Sequence, residues 1–98
     1  MVLMSELCLM LFVAGDSPRS REAAANLARV CADLLDGPVH VETVDVLLRP
    51  DLADEYRILT TPTVVREAPM PRRRVTGDLR DGAQVLAALD LISSSASA

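Results

Sequence analysis

Apolar residues fill every position of the first predicted element. The run from Leu7 to Val13 is apolar on both faces, which is typical of a central strand covered on both sides. Ser17 and Pro18 follow as an N-cap and a first helical residue, and apolar positions then recur at helical spacing until a Gly-Pro pair ends the helix. The alternating stretch VHVETVDV predicts a second strand. This order of strand, helix and strand predicts a parallel βαβ unit.

The second half predicts a helix, a hairpin and a last segment of ambiguous type. PDLADEYRIL predicts a short helix, and TPTVVRE and RRVTGD predict two strands joined by a turn. Asp78 or Asp81 then caps a helix through AQVLAALDLI, but residues 85–91 also alternate, so periodicity leaves both helix and strand open. The predicted architecture is a single α/β domain, βαβαββα, over residues 1–92, with a disordered tail over 93–98.

Composition excludes several classes of function. The 98 residues carry a net charge of -4 and include one Phe, one Tyr and no Trp, so the chain lacks the positive charge and the stacking platforms of a nucleic-acid binder. All 10 basic residues are Arg, which excludes Schiff-base and P-loop lysine chemistry. No apolar run approaches the roughly 20 residues of a membrane span, so we expect no membrane partner. Two cysteines in apolar segments favour a reducing, cytoplasmic location.

The stretch VAGDSPRS forms the corner between the first strand and the first helix. The order of elements, with a Thr-Pro before the third strand, is similar to the thioredoxin-like fold, whose redox members carry Cys-x-x-Cys at this corner because a helix N-terminus lowers the thiol pKa. Here the residues are Gly15, Asp16, Ser17 and Pro18, so no sulfur is present. One glycine without a lysine also misses the dinucleotide and P-loop patterns. We therefore expect a chain reversal and a helix cap.

Cys8, Cys31 and His40 are the remaining candidates for chemistry. Both cysteines fall on apolar faces and are predicted to be inert core thiols. His40 alternates with valines, which predicts a solvated face and not a base for Ser17. One histidine and no ligand-spaced cluster predict no metal site, and no pattern indicates another cofactor. The chain is therefore predicted not to be an enzyme.

Four stretches of the chain resemble the KaiB family of small, non-enzymatic clock proteins. They are LFVAGDSP, VDVLLRPDLADEYRILTTPT, VTGDL and VLAALDL, and they cover nearly the whole chain in register. The resemblance implies a clock or timer regulator that binds the hexameric ATPase ring of a KaiC-like protein and modulates its ATPase and phosphorylation cycle. It leaves open a KaiA-like protein or a histidine kinase as a further partner, and a dimeric or tetrameric free state.

The resemblance also implies a second fold, in which the second half of the chain rearranges. This agrees with the ambiguity of residues 85–91, where two packings that differ by a few kcal/mol can coexist. Ala88 replaces a family glycine and favours the helix-ended state by about 0.8–1 kcal/mol, and Asp90 interrupts an apolar stretch. The other residues expected in the switch are Pro62, Pro69 and Pro71, through slow X-Pro isomerisation, and we expect a cis bond before Pro62 in at least one state.

Four arginines stand where basic residues occur in that family: Arg57, Arg66, Arg73 and Arg74. Without the resemblance, the RRR run at 72–74 indicates a solvated turn and hairpin edge. With it, we expect the four to dock onto an acidic or carbonyl-rich surface of the ring, because Arg offers forked donors.

Two rival functions stay open at the level of sequence. One is a redox protein of the thioredoxin superfamily that uses the two cysteines. The other is a sensory adaptor that docks on a signalling kinase. Native thiol reactivity distinguishes the first from a ring regulator, and a panel of binding partners distinguishes the second.

Overall fold

Seven elements form in the predicted order, βαβαββα. The computed structural model describes residues 7–35 and 37–91. The tail predicted to be disordered, 93–98, lies outside the described residues, as do 1–6, 36 and 92. The strands are β1 (Leu7–Val13), β2 (Val39–Asp45), β3 (Thr63–Ala68) and β4 (Arg73–Thr76). The helices are α1 (Pro18–Leu34), α2 (Pro50–Glu55) and α3 (Gly82–Ala88).

One four-stranded sheet organises the chain, with the strand order β2-β1-β3-β4. β1 and β2 are parallel, as the βαβ unit predicts, whereas β1 pairs with β3, and β3 with β4, in the antiparallel sense. β1 is thus paired on both sides, and its residues from Leu9 to Val13 are all buried. The continuous apolar run of β1 follows from this central place.

Helices cover both faces of the sheet. α1 and α3 pack on one face around a core that includes Leu11, Leu27 and Leu89. On the opposite face, a smaller core contains Phe12 and Tyr56, whose ring centroids are 5.4 Å apart. Leu52 of α2 packs against this smaller core. The two-sided burial of the sheet therefore confirms the mixed α/β class.

The segment that periodicity left open is a helix in this structure. Asp81 is the N-cap of α3, and its carboxylate accepts a hydrogen bond from the Gln84 N–H at 3.2 Å. Asp78, the other candidate cap, accepts bonds from the loop that precedes the helix. α3 ends at Ala88, earlier than the pattern predicts. Its buried face and the C-cap that follows consist of Val85, Leu86 and Leu89.

Both short helices end in a Schellman motif whose left-handed residue is not glycine. After α2, Arg57 has a φ of 55°, and the Ile58 N–H donates to the Ala53 carbonyl at 2.8 Å. After α3, Asp90 has a φ of 59°, and the Leu91 N–H makes the corresponding bond, also at 2.8 Å. α2 therefore ends earlier than the stretch PDLADEYRIL predicts, because the chain reverses direction inside it.

Replacing Asp90 by Gly is expected to stabilise this fold. A left-handed φ of 59° costs an L-residue about 1–2 kcal/mol and glycine much less, although glycine also adds freedom to the unfolded chain. We expect Asp90→Gly to raise the free energy of unfolding by about 0.5 kcal/mol in urea titrations. Ala87→Gly, on the exposed side of the same helix, should lower it by about 1 kcal/mol. Equal effects at both positions would contradict the assigned helix end.

Candidate partner-binding surface

The corner between β1 and α1 consists of a turn and a helix cap. Gly15 has a φ of 68°, and its N–H donates to Asp45 Oδ1 at 3.0 Å, which fastens the corner to the end of β2. Ser17 Oγ accepts from the Ser20 N–H at 3.1 Å, so the predicted N-cap is confirmed. The hydrogen bonds of the corner are accounted for by the chain reversal and the start of α1.

The two cysteines lie outside that corner. Cys8 is at the start of β1 and Cys31 is in α1, each partly buried. Burial raises the pKa of Cys31, which disfavours the reactive thiolate. His40 is exposed, as predicted, and pairs with Cys8 in the register of β1 and β2. Within residues 7–35 and 37–91, no three His, Cys, Asp or Glu side chains form a group that could hold a metal ion.

Arg74 joins β4 to the end of α2. Its Nη1 donates to the Arg57 carbonyl at 2.9 Å, and its Nη2 donates to the Tyr56 carbonyl. A helix leaves its last carbonyls without intrahelical partners and with partial negative charge, so a guanidinium is a suitable donor for them. Arg57 itself is exposed, and no ion pair within the described part of the chain includes its side chain.

Tyr56 forms the centre of a second group of polar contacts. Its hydroxyl donates to Glu67 Oε1 at 2.9 Å. The guanidinium carbon of Arg72 lies 4.6 Å from the centroid of the Tyr56 ring, and Arg72 Nε lies 3.1 Å from the same Glu67 oxygen. Burial, and then the hydrogen bond to Glu67, raise the pKa of Tyr56. Arg72 is therefore held over the ring by both cation–π attraction and an ion pair.

Arg72 and Arg74 thus contact Tyr56, Arg57 follows it in the chain, and we call these three arginines the arginine surface. Sequence reasoning named Arg57 and Arg74 as contacts but missed Arg72 and the tyrosine. Arg72 could have been grouped with Arg74 from the sequence, because side chains alternate along a strand and residues 72 and 74 therefore share a face, with 73 on the other. Leu59 is close to Arg57 in the sequence and is 94% exposed.

Arg66 lies on the opposite face of the sheet and is only 5% exposed. Its Nη1 donates to the carbonyls of Leu89 at 2.9 Å and Asp90 at 3.3 Å, and its Nη2 donates to the Pro71 carbonyl at 2.7 Å. Within the described residues, Arg66 Nε is buried without a partner. In this fold, a binding partner would reach the guanidinium only if α3 and the β3–β4 turn moved.

Arg73 lies opposite Arg66 in the register of β3 and β4, and it is exposed. The four arginines named from sequence are therefore divided between two faces. Arg57 and Arg74 come together, whereas Arg66 and Arg73 share the α3 side. Their docking role stays a prediction.

The residues expected in the fold switch lie in and around the second half of the sheet. The peptide bond before Pro62 is cis, as expected, and Pro62 is buried. The bonds before Pro69 and Pro71 are also cis, and both prolines are exposed in the β3–β4 turn. Ala88 is the last residue of α3, and Asp90 is the left-handed residue after it. Their part in a switch stays a prediction.

Comparison with known proteins gives the family. A model described as the KaiB domain matches residues 10–91. The chain belongs to the KaiB family. A similar relative is the circadian clock protein KaiB3 of Synechocystis sp., which is 38% identical over 89 residues that cover 91% of this chain and 87% of the relative. The circadian clock oscillator protein KaiB of Synechococcus elongatus is 42% identical over 84 residues, which cover 86% of this chain and 82% of that relative.

Solved structures confirm the thioredoxin-like fold of this KaiB family member. The N-terminal domain of Synechococcus elongatus SasA matches with a TM-score of 0.77 and 28% identity over 92% of this chain and 89% of that one. Mitochondrial thioredoxin 3 of Saccharomyces cerevisiae matches with a TM-score of 0.67 and 18% identity over 86% of this chain and 76% of that one. This is a likeness of fold alone.

Membership of the KaiB family supports a role as a circadian clock regulator. Its relatives are named as clock proteins and not as enzymes. This agrees with a corner whose residues are used by the turn and the cap. Among the described helices, none combines the length and hydropathy that crossing a bilayer requires.

Arg66→Met is expected to lower the free energy of unfolding by about 2 kcal/mol, because the Leu89 carbonyl loses a charged donor in a buried site and the partly buried bonds to the Asp90 and Pro71 carbonyls are lost as well. Urea unfolding at constant pH measures this. Arg73→Met, the same change at the exposed cross-strand neighbour, should stay within about 0.5 kcal/mol. A neutral Arg66→Met would show that the carbonyl contacts do not stabilise the fold.

Tyr56 is expected to ionise only above the ordinary pH of a phenol, which is about 10. It is the single Tyr of the chain, so its phenolate absorbance reports this one group. Because the pKa is raised in the fold, Tyr56 contributes stability that is complete below pH ~10 and is lost as pH rises through the folded pKa.

Glu67→Gln tests the cause of this shift. The variant keeps a hydrogen-bond acceptor but removes the charge, so the pKa should fall towards the ordinary value while staying above it, since burial is the larger cause. A Tyr56 that titrates at the ordinary value in the folded wild type would contradict the contacts described. Tyr56→Phe provides the blank for the absorbance measurement.

Proposed function

We propose that this KaiB family member is a non-enzymatic regulator that binds the ATPase ring of a KaiC-like protein and modulates its ATPase and phosphorylation cycle. Family membership supports the clock context. The observation that carries the docking proposal is the arginine surface, where Arg72 and Arg74 contact Tyr56 beside the exposed Arg57 at the end of α2, on a chain with a net charge of -4.

The arginine surface suits an acidic or carbonyl-rich partner. Arg57 is exposed without an ion pair in the described part of the chain, so its donors are available. Leu59 and Met70, which are near Arg57 and Arg72 in the sequence, are 94% and 70% exposed. Arginine beside exposed apolar side chains is the composition of many interface centres.

The contacts within the arginine surface also limit the entropy that docking costs. Arg72 is fixed by Glu67 and the Tyr56 ring, and Arg74 by two backbone carbonyls. Side chains that are already ordered lose less freedom on association. Regulation then follows if the surface binds one conformational state of the ring better than another, since only differential affinity shifts such an equilibrium.

Rearrangement of the second half of the chain is part of this proposal. The support from the fold is that Asp90, two residues after the end of α3, has a left-handed φ of 59°, which is unfavourable for an L-residue and strains the end of this helix. We propose that the thioredoxin-like state described here is the ring-binding one. Nuclear magnetic resonance of the free chain would show whether a second set of signals exists for residues 62–91.

An adaptor that docks on a signalling kinase is the second candidate. The observation in its favour is the likeness to the N-terminal domain of SasA, which shows this fold as one domain of another protein. A KaiA-like protein and a histidine kinase therefore belong in the same binding panel as the ring. The redox alternative has less support, because burial raises the pKa of Cys31 and the corner holds no thiol.

The decisive experiment mixes this chain with the KaiC homologue of its own organism in ADP and in ATP, and reads complex mass and ATPase rate. We expect a nucleotide-dependent complex and a changed rate. Arg57→Ala should weaken binding by about 10-fold, a loss of roughly 1.4 kcal/mol, as expected for an interface arginine.

Arg29→Ala is the matched control, because Arg29 is exposed on α1 and makes no ion pair in the described part of the chain. It should bind as the wild type does. Arg73→Ala tests whether the opposite side of β4 also contributes. If no complex forms in either nucleotide, the proposed function is wrong; if Arg29→Ala and Arg57→Ala weaken binding equally, the assigned surface is wrong.

A further inference from the structure

β4 forms one edge of the sheet, and a cavity lies beside it on the α3 side. In the strand order β2-β1-β3-β4, β4 pairs with β3 alone. Arg73, Arg74 and Thr76 are exposed, and Val75 packs, partly buried, against the main core. An edge strand of this kind presents unpaired backbone donors and acceptors that another extended segment can use.

The outward-facing backbone groups of β4 belong to Arg74 and Thr76. The Gly77 N–H donates to the Pro62 carbonyl at 2.9 Å, so residue 77 faces β3, as do 75 and 73 by alternation. Arg74 and Thr76 therefore direct their N–H and C=O groups away from the sheet. Within the described residues, no backbone–backbone hydrogen bond from outside the sheet reaches either of them.

The cavity beside β4 has a volume of about 380 Å³, which is within the range of ligand-binding clefts. Three of its lining residues are apolar: Val75, Leu79 and Val85. Asp78 and Asp81 also line it, which disfavours an acidic side chain inside. The loop that closes the cavity is held in place, because Asn26 Nδ2 donates to the Asp78 carbonyl at 2.8 Å and Leu79 is buried. The cavity is therefore formed before any partner binds, and it suits one apolar side chain.

The arginines of β4 determine which segment this edge accepts. Arg73 and Arg74 form no ion pair within the described part of the chain, and their side chains lie on opposite faces of the strand. A segment with basic residues at the facing positions would bring like charges together, which is destabilising. A segment with carboxylates at those two positions meets opposite charges instead.

We propose that β4 accepts an acidic, extended segment of another protein as a fifth strand, antiparallel to β4. Antiparallel pairing is slightly more stable than parallel pairing, and a segment residue opposite Arg74 or Thr76 exchanges both N–H···O=C bonds with it. The residue opposite Val75 directs an apolar side chain into the cavity, and the next two residues place carboxylates opposite Arg74 and Arg73. From its N-terminal end, the segment therefore has the order apolar, acidic, acidic.

Fluorescence anisotropy of the capped, labelled peptide Thr-Leu-Glu-Glu-Thr with the full chain tests the proposal. We expect saturable binding that weakens with added salt, because exposed charges are screened. Replacing the peptide Leu by Ala empties the cavity and should weaken binding roughly tenfold. The rearranged peptide Glu-Thr-Leu-Thr-Glu keeps the composition but separates the two carboxylates, and it should bind roughly fivefold more weakly.

Methylation of single backbone nitrogens in the peptide distinguishes strand pairing from attraction by charge alone. An N-methyl group on the first Glu removes the N–H that the Arg74 carbonyl would accept, and it should weaken binding by about tenfold or more. The same group on the second Glu points away from β4, so the affinity should stay within about twofold of the parent peptide.

Two variants of the chain test the location of the site. Arg73→Glu opposes a carboxylate of the peptide and should weaken binding about tenfold. Arg29→Glu makes the same charge change at an exposed residue of α1 and should bind as the wild type does. The proposal is overturned if no saturable binding occurs at about 1 mM peptide, if the two N-methyl groups have equal effects, or if the two variants do. The assay contains no ring, so none of these outcomes bears on the proposed function.

Discussion

Two arginines on neighbouring strands hold the ends of two helices on opposite faces of the sheet. Arg74 donates to the carbonyls of Tyr56 and Arg57 at the end of α2, and Arg66 donates to those of Leu89 and Asp90 at the end of α3. In each case the acceptors are the C-cap residue and the left-handed residue after it. α2 and α3 have 6 and 7 residues, too few for a helix that stands alone, so their ends depend on such tertiary contacts.

The burial of Arg66 is tolerated because its acceptors form the negative end of a helix. A buried cation without a carboxylate is costly, and carbonyls with partial negative charge reduce that cost. The same contact limits any alternative packing of the second half. If α3 unwound, Arg66 would lose two of its acceptors, so a rearranged state has to expose this guanidinium or provide new oxygens for it.

The order of elements could be predicted from sequence, because the clearest signals are local. The apolar run of β1, the Ser-Pro start of α1 and the alternation of β2 each indicate one element, and all three form. The boundaries of α2 and α3 were less accurate, since each ends at an Arg or Asp in a left-handed conformation that favours glycine. Periodicity also left the type of α3 open, and packing of Leu86 and Leu89 on the main core is what favours the helix.

The candidate site was only partly predictable. Family likeness pointed to four arginines, but it could not tell that Arg66 is buried and Arg57 is exposed. Whether Arg66 is buried depends on which face of β3 packs against α3. That face is set by the register of β3 in the sheet, which a local sequence pattern does not reveal. The shared face of Arg72 and Arg74 could be inferred from the period of two, but the role of Arg72 could not, because it arises from the Tyr56 ring at the C-cap of α2.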